Sequence, residues 1–188
     1  MPDTGFMSPD NIVGQNGTFF GDQWITPSTG VIVFFAGASN FQTVDGFEND
    51  GTLPAGATVV GAEVALLASY SSPDGQTFDI QLSIDGGSNF SSSITSGNLG
   101  TSSASGGTGG SGADHLVPTS GGATQLWGLD WSGFSDLSQI QLKGLNGTAN
   151  IVSQHVQLKL YYEVDTGMGS VKLDGTKIQI VSGKFLID

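Results

Sequence analysis

From Leu53 to Ile84 the chain reads LPAGATVVGAEVALLASYSSPDGQTFDIQLSI, and few folds accommodate that pattern. After a Pro-Ala-Gly turn, Val64, Leu66, Ala68 and Tyr70 share one parity. After Ser72-Pro73-Asp74-Gly75, the residues Phe78, Ile80, Leu82 and Ile84 do the same, with Asp79, Gln81 and Ser83 between them. Successive side chains of a strand point to opposite faces, so this alternation describes two strands with one apolar and one wet face. Proline presets φ and glycine accepts positive φ, so the tetrapeptide between them predicts a turn, and the stretch reads as an antiparallel hairpin. A sheet that is apolar on one side needs a second layer over it.

The remaining sequence is consistent with supplying that layer. Among 188 residues there are 30 glycines and no cysteine, and no long segment carries the 3.6-residue period in good helix formers. A chain of this length buries roughly 70% of its unfolded surface without disulfide or metal staples. Val31-Ile32-Val33-Phe34-Phe35 is a short continuous apolar run of the kind buried on both faces. Ile140 and Leu142 share a parity, and so do Val156, Leu158, Leu160 and Tyr162. Asn16-Gly17 and Asn146-Gly147 are hairpin-turn pairs, Thr43–Thr52 reads as a loop, and Asp136-Leu137-Ser138 closes a short helical turn beginning near Phe134. Evenly spaced strands with turn chemistry between them predict an all-β, antiparallel β-sandwich of jelly-roll type.

Three segments stand apart from the predicted sandwich of residues 18–164. Residues 1–17 form a polar N-terminal arm. Residues 91–122 are dominated by Ser, Gly and Thr, a composition typical of a flexible linker, and form an excursion within the domain. Beyond a hinge at Asp165–Ser170, residues 165–188 contain the turn pairs Asp174-Gly175 and Ser182-Gly183, and read as a three-stranded meander. Val171 with Leu173, Ile178 with Ile180, and Phe185 with Ile187 are its apolar pairs. A meander this small is marginal in water. Its apolar face must dock on the sandwich or on another chain; the hinge gives it reach, which favours another chain, so these six residues are the expected subunit interface, with residues 1–17 as a second region of contact.

Charge excludes several classes of partner. The net charge is −12, and all five cations are lysines: Lys143, Lys159, Lys172, Lys177 and Lys184. Sequence-independent nucleic-acid binding requires clustered cations that displace counterions, and anionic membranes make the same demand, so neither is an expected partner. No stretch approaches the ~20 apolar residues of a membrane span, and Met1-Pro2-Asp3-Thr4-Gly5 lacks the basic start of a secretory signal.

Catalytic chemistry finds little footing. Gly109-Gly110-Ser111-Gly112-Ala113 lacks the last glycine of a nucleophile elbow. His115 falls in the Ser/Gly excursion and His155 on a polar strand face, without metal-ligand spacing around either. No catalytic, cofactor-binding or metal residue is expected. The acidic run Asp45-Gly46-Phe47-Glu48-Asn49-Asp50-Gly51 offers oxygen ligands to Ca²⁺ but does not follow the EF-hand pattern, and a solvated turn is the simpler reading. Trp24, Trp127 and Trp131 suit either a sugar-stacking platform or a core, and core is the commoner role. Trp127 and Trp131, four residues apart, would share one face of a strand. The glycosylation sequons at Asn16, Asn89 and Asn146 read as turns.

Four segments together carry a resemblance: Leu53-Pro54-Ala55-Gly56-Ala57-Thr58-Val59-Val60-Gly61-Ala62-Glu63-Val64, Leu82-Ser83-Ile84-Asp85-Gly86-Gly87, Leu126-Trp127-Gly128-Leu129-Asp130-Trp131, and His155-Val156-Gln157-Leu158-Lys159-Leu160-Tyr161-Tyr162. In this order they resemble a β-sandwich domain of tailed-bacteriophage virion proteins, over roughly residues 18–163. These motifs are structural and carry no active site across. The resemblance implies a non-enzymatic virion component, a capsid decoration protein or a small head or tail appendage. Such a protein would be a homo-oligomer, expected as a trimer, with other virion proteins as neighbours. The alternative of a different class is a glycan-binding module that recognises a host surface.

Overall fold

The computed structural model describes residues 1–16, 32–34, 41–67, 70–72, 79–95, 100–101, 119–145, 150–153, 155–164, 171–173, 176–181 and 184–187. In chain order the strands are β1 (Asn11–Asn16), β2 (Ile32–Phe34), β3 (Phe41–Asp45), β4 (Ala57–Leu67), β5 (Tyr70–Ser72), β6 (Asp79–Ser83), β7 (Ile94–Thr95), β8 (Gly100–Thr101), β9 (Thr119–Gly122), β10 (Gln141–Leu145), β11 (Asn150–Ser153), β12 (His155–Val164), β13 (Val171–Leu173), β14 (Thr176–Val181) and β15 (Lys184–Ile187). Single 3-10 turns occupy Phe47–Asn49 and Leu137–Gln139. The protein is an all-β, antiparallel sandwich, as the alternation predicts; the pairing of β5 with β8 is parallel.

One layer is the sheet β1-β3-β10-β6-β7, and the other is β12-β4-β9. A single buried cluster takes Val44, Ile80, Leu82 and Leu142 from the first, and Ala62, Val64, Val156, Leu158 and Leu160 from the second. These are the parities expected for β6, β10 and β12. The pairing of β5 with β11 keeps the offset of the β4–β12 ladder: Tyr70 pairs with Val152 as Leu67 does with His155. A bulge between Tyr161 and Tyr162 shifts that ladder by one residue. It explains why Val59 is buried beside even-numbered Ala62 and Val64 on one strand.

The strand partners differ from the sequence reading in several places. The two halves of Leu53–Ile84 are not a hairpin: β4 pairs with β12 and β9, and β6 pairs with β10 and β7. Their apolar faces still meet, but across the sandwich rather than along one sheet. Similarly β10 and β11, on either side of Asn146-Gly147, lie in different sheets, and β1, which ends at Asn16, pairs with β3. Thr43–Asp45 lie in β3 and not in a loop; Gln42, Thr43 and Val44 are all buried there. The Ser/Gly excursion is bounded more tightly than residues 91–122, since β7, β8 and β9 fall inside that range. Its central run 102–118, with His115 and Gly109–Ala113, lies outside the described residues, as do Thr18–Ile25 with Trp24.

Residues 123–134 are a chain of turns, not a strand. Gln125 N donates to Gly122 O, Leu129 N to Leu126 O, and Phe134 N to Trp131 O. Trp127 and Trp131 therefore do not share a strand face, yet both are core, 2% and 4% exposed. The helical turn near Phe134 lies slightly later than expected, at Leu137–Gln139. Asp136 caps it, its side chain accepting from Ser138 N.

Residues 3–16 are built into the sandwich. Met7 and Leu158 exchange backbone bonds of 2.7 and 2.9 Å, and Thr4 N donates to Leu160 O. Met7 is fully buried. A few residues later β1 joins β3 in the opposite sheet, so one short segment lines an edge of each layer.

Candidate functional site

The C-terminal meander forms as expected. Val171 stands opposite Ile178, Leu173 opposite Thr176, Ile178 opposite Ile187, and Ile180 opposite Phe185. Residues directly opposed in an antiparallel pair lie on the same face, and residues two apart on a strand do too. The register thus gathers Val171, Leu173, Ile178, Ile180, Phe185 and Ile187 onto one face of a three-stranded sheet. Among the described residues, β13, β14 and β15 pair only with one another. The two connections span two residues each, at 174–175 and 182–183.

The N-terminal segment, the other expected contact region, is engaged with its own chain. Besides the backbone bonds to β12, Lys159 Nζ lies 4.2 Å from the centre of the Phe6 ring and 3.1 Å from Glu63 Oε2. The Tyr161 hydroxyl donates to the same Glu63 oxygen. The Lys159 and Glu63 side chains are only 17% and 15% exposed. Desolvation alone would lower the Lys159 ammonium, but Tyr161 and Glu63 together raise its pKa above the ordinary lysine value. Glu63 in turn pushes the Tyr161 phenol upward. This cluster fastens the first residues to the outer face of the β4–β12 ladder.

The acidic run 45–51 is tied to the same segment. Asp45 Oδ1 accepts from Asn11 Nδ2 at 3.0 Å, Asp50 Oδ2 accepts from Ser8 N at 2.7 Å, and Asn49 Nδ2 donates to Asp10. Among the described residues, no group of three or more His, Asp or Glu side chains is placed to hold a metal ion.

A shallow cleft of about 470 Å³ opens over Ile84, Leu129 and Phe134, with Asp85, Asp130 and Asp136 at its rim. Each carboxylate braces its own loop. Asp85 accepts from Asn89 Nδ2, Asn89 N and Ser83 Oγ; Asp130 accepts from Ser132 N; and Asp136 accepts from Ser138 N and Oγ. These bonds favour the charged form, so all three sit below the ordinary carboxylate pKa; the leading causes are Asn89, Ser132 and Ser138 respectively.

A pH dependence follows from these shifts. A carboxylate with a depressed folded-state pKa contributes stability above its unfolded value, about 3.9, and that contribution is lost as pH falls through the lower folded value. Urea midpoints are therefore expected to hold from pH 7 to about pH 5 and to fall below about pH 4. The triple variant Asp85→Asn, Asp130→Asn, Asp136→Asn should be less stable at pH 7 and lose less on acidification. Parallel curves for the two proteins would contradict this.

The burial of Trp127 and Trp131 removes the sugar platform suggested for them, because the indole N–H groups donate inward, to Ala62 O and Leu126 O, both at 2.9 Å. The sequence reading missed Met7, Phe6 and the Tyr161–Glu63–Lys159 cluster. Of these only the parity of Glu63, Lys159 and Tyr161 on the wet strand faces was visible in advance. In comparisons with protein-family profiles, with curated proteins and with solved structures, the chain matches none.

Proposed function

We propose that this chain is a non-enzymatic structural protein of a tailed-phage virion, a capsid decoration protein or a small head or tail appendage, that assembles as a homo-oligomer, a trimer, through its C-terminal meander. One observation carries the assembly reading: the register collects six apolar residues on one face of a sheet that, among the described residues, pairs with no strand of the sandwich. Fully burying each such side chain contributes about 1.5–3 kcal/mol before ordering costs are subtracted. A three-stranded sheet with one apolar face is marginal alone, and association of like faces would cover that face. The virion assignment draws its support from the resemblance of residues 18–163 and from the two-layer body, in which Asp85, Asp130 and Asp136 brace turns.

Two experiments test the two parts. Light scattering of the full chain is expected to give a trimer, and the chain ending at Glu163 or the full-length double variant Ile178→Asp, Ile180→Asp to give monomers. A full chain that is monomeric at all concentrations would overturn the assembly reading. Mass spectrometry of gradient-purified phage particles is expected to find the chain at a fixed copy number, and its absence from particles would overturn the virion assignment.

A further inference from the structure

The same register defines the opposite face of the meander. Lys172 stands directly opposite Lys177, and Lys184 stands opposite Val181, which lies on the Lys177 side of β14. Alternation thus separates the three lysines from the six apolar residues; the lysine face also carries Gln179, Val181 and Leu186. Like charges directly opposed across an antiparallel pair are destabilising, so the Lys172–Lys177 pair favours a counter-charge over it.

The rest of the chain has that counter-charge in excess. Only Asp174 and Asp188 among the 17 acids lie beyond residue 170, together with three of the five lysines; residues 1–170 hold the other 15 acids and two lysines, a balance of −13. Both of those lysines are engaged within the sandwich. Lys143 Nζ lies 4.4 Å from the Phe41 ring centre and 5.3 Å from that of Phe90, and Lys159 is bonded to Glu63. Copies drawn together by apolar meander faces would bring strongly acidic bodies close to one another, and their repulsion is screened over only about 10 Å at 0.1 M salt.

From this charge complementarity we infer that the lysine face of one copy's meander docks on the acidic sandwich of a second copy. The inference rests on the reading of the meander as an assembly element and names what its second face touches. In this arrangement the apolar faces hold the copies together, and Lys172, Lys177 and Lys184 turn the repulsion between bodies into attraction.

The sign of the salt effect tests it. Sedimentation velocity of the full chain would be run from about 0.01 M to about 1 M NaCl, where the screening length falls from about 30 Å to about 3 Å. Wild-type association is expected to weaken with salt, by on the order of tenfold in dissociation constant. The variant Lys172→Gln, Lys177→Gln, Lys184→Gln, with unchanged circular dichroism, is expected to show the reverse, associating weakly at low salt and tightening as salt is added. A wild-type oligomer that tightens with salt and is unaffected by the three substitutions overturns the inference while leaving the meander as an assembly element. A chain monomeric at every salt concentration overturns both. Capture of a DNA duplex by the wild type but not the variant, without salt-weakened self-association, would overturn the inference and assign the face to a nucleic acid.

Discussion

Replacing Trp127 with alanine is expected to destabilise the protein by about 3–5 kcal/mol, the range for deleting a buried Trp, and to lower the melting temperature by on the order of 10 °C. The indole does more than fill space. Its N–H donates to Ala62 O, while Ala62 N donates to Gln125 O at 3.0 Å. Residues 125–127 thereby lie alongside β4 next to where β9 ends, supplying that edge with partners from a turn. Trp127 holds φ at 60° to do so, a left-handed conformation that costs a non-glycine residue roughly 1–2 kcal/mol. Trp127→Phe should keep most of the burial, withdraw the indole donor from Ala62 O, and cost about 1–3 kcal/mol. Urea unfolding of the three proteins checks the ranking; an alanine variant within 1 kcal/mol of wild type would show that the clamp contributes little.

Gly121→Ala is the second large effect. The residue sits at φ +88°, and a Cβ there would lie 2.3 Å from Ala62 O and 2.9 Å from Trp127 Nε1. The first neighbour is backbone and cannot swing aside, so the methyl group must displace the bond between Trp127 and Ala62. Overpacking and the left-handed backbone together predict a loss of about 2–5 kcal/mol. Gly56→Ala is the control, with φ at +74° and open space around the position; it should cost only about 1 kcal/mol. Because Gly121 and Trp127 act on one carbonyl, the double variant Gly121→Ala, Trp127→Ala is expected to fall short of the sum of the two losses. Additive losses would mean that the two residues act separately.

Much of the architecture was legible from alternation alone. Ile80, Leu82, Leu142, Val156, Leu158 and Leu160 are buried as their parity requires, and the meander has its three strands. Alternation reports which face of a strand is dry but not which strand lies beside it. Alternation alone therefore pairs the two halves of Leu53–Ile84 with each other, although β4 pairs with β12 and β9, and β6 with β10 and β7. Asn146-Gly147 lies outside the described residues, but the strands on either side of that turn signal, β10 and β11, lie in different sheets. The Trp127–Trp131 spacing suggested a strand because consecutive tight turns also bring alternate residues inward. Met7 gave no signal at all: one apolar residue in a polar segment has no period. In the candidate site, the apolar pairs of each strand were visible, but their union on one face, and the lysine row behind it, required the cross-strand register.

The position of the first residues also governs when the molecule can finish folding. Ser8 meets Gln157 across 149 residues of chain, and Thr4 meets Leu160 across 156. During synthesis Thr4 and Ser8 emerge well before β12, and must wait for about 150 further residues before their partners exist. Contacts of such long range slow folding, and a nascent or truncated product that stops short of β12 would leave β4 with a bare border and Thr4 and Met7 without their backbone partners, a state prone to sticking edge to edge.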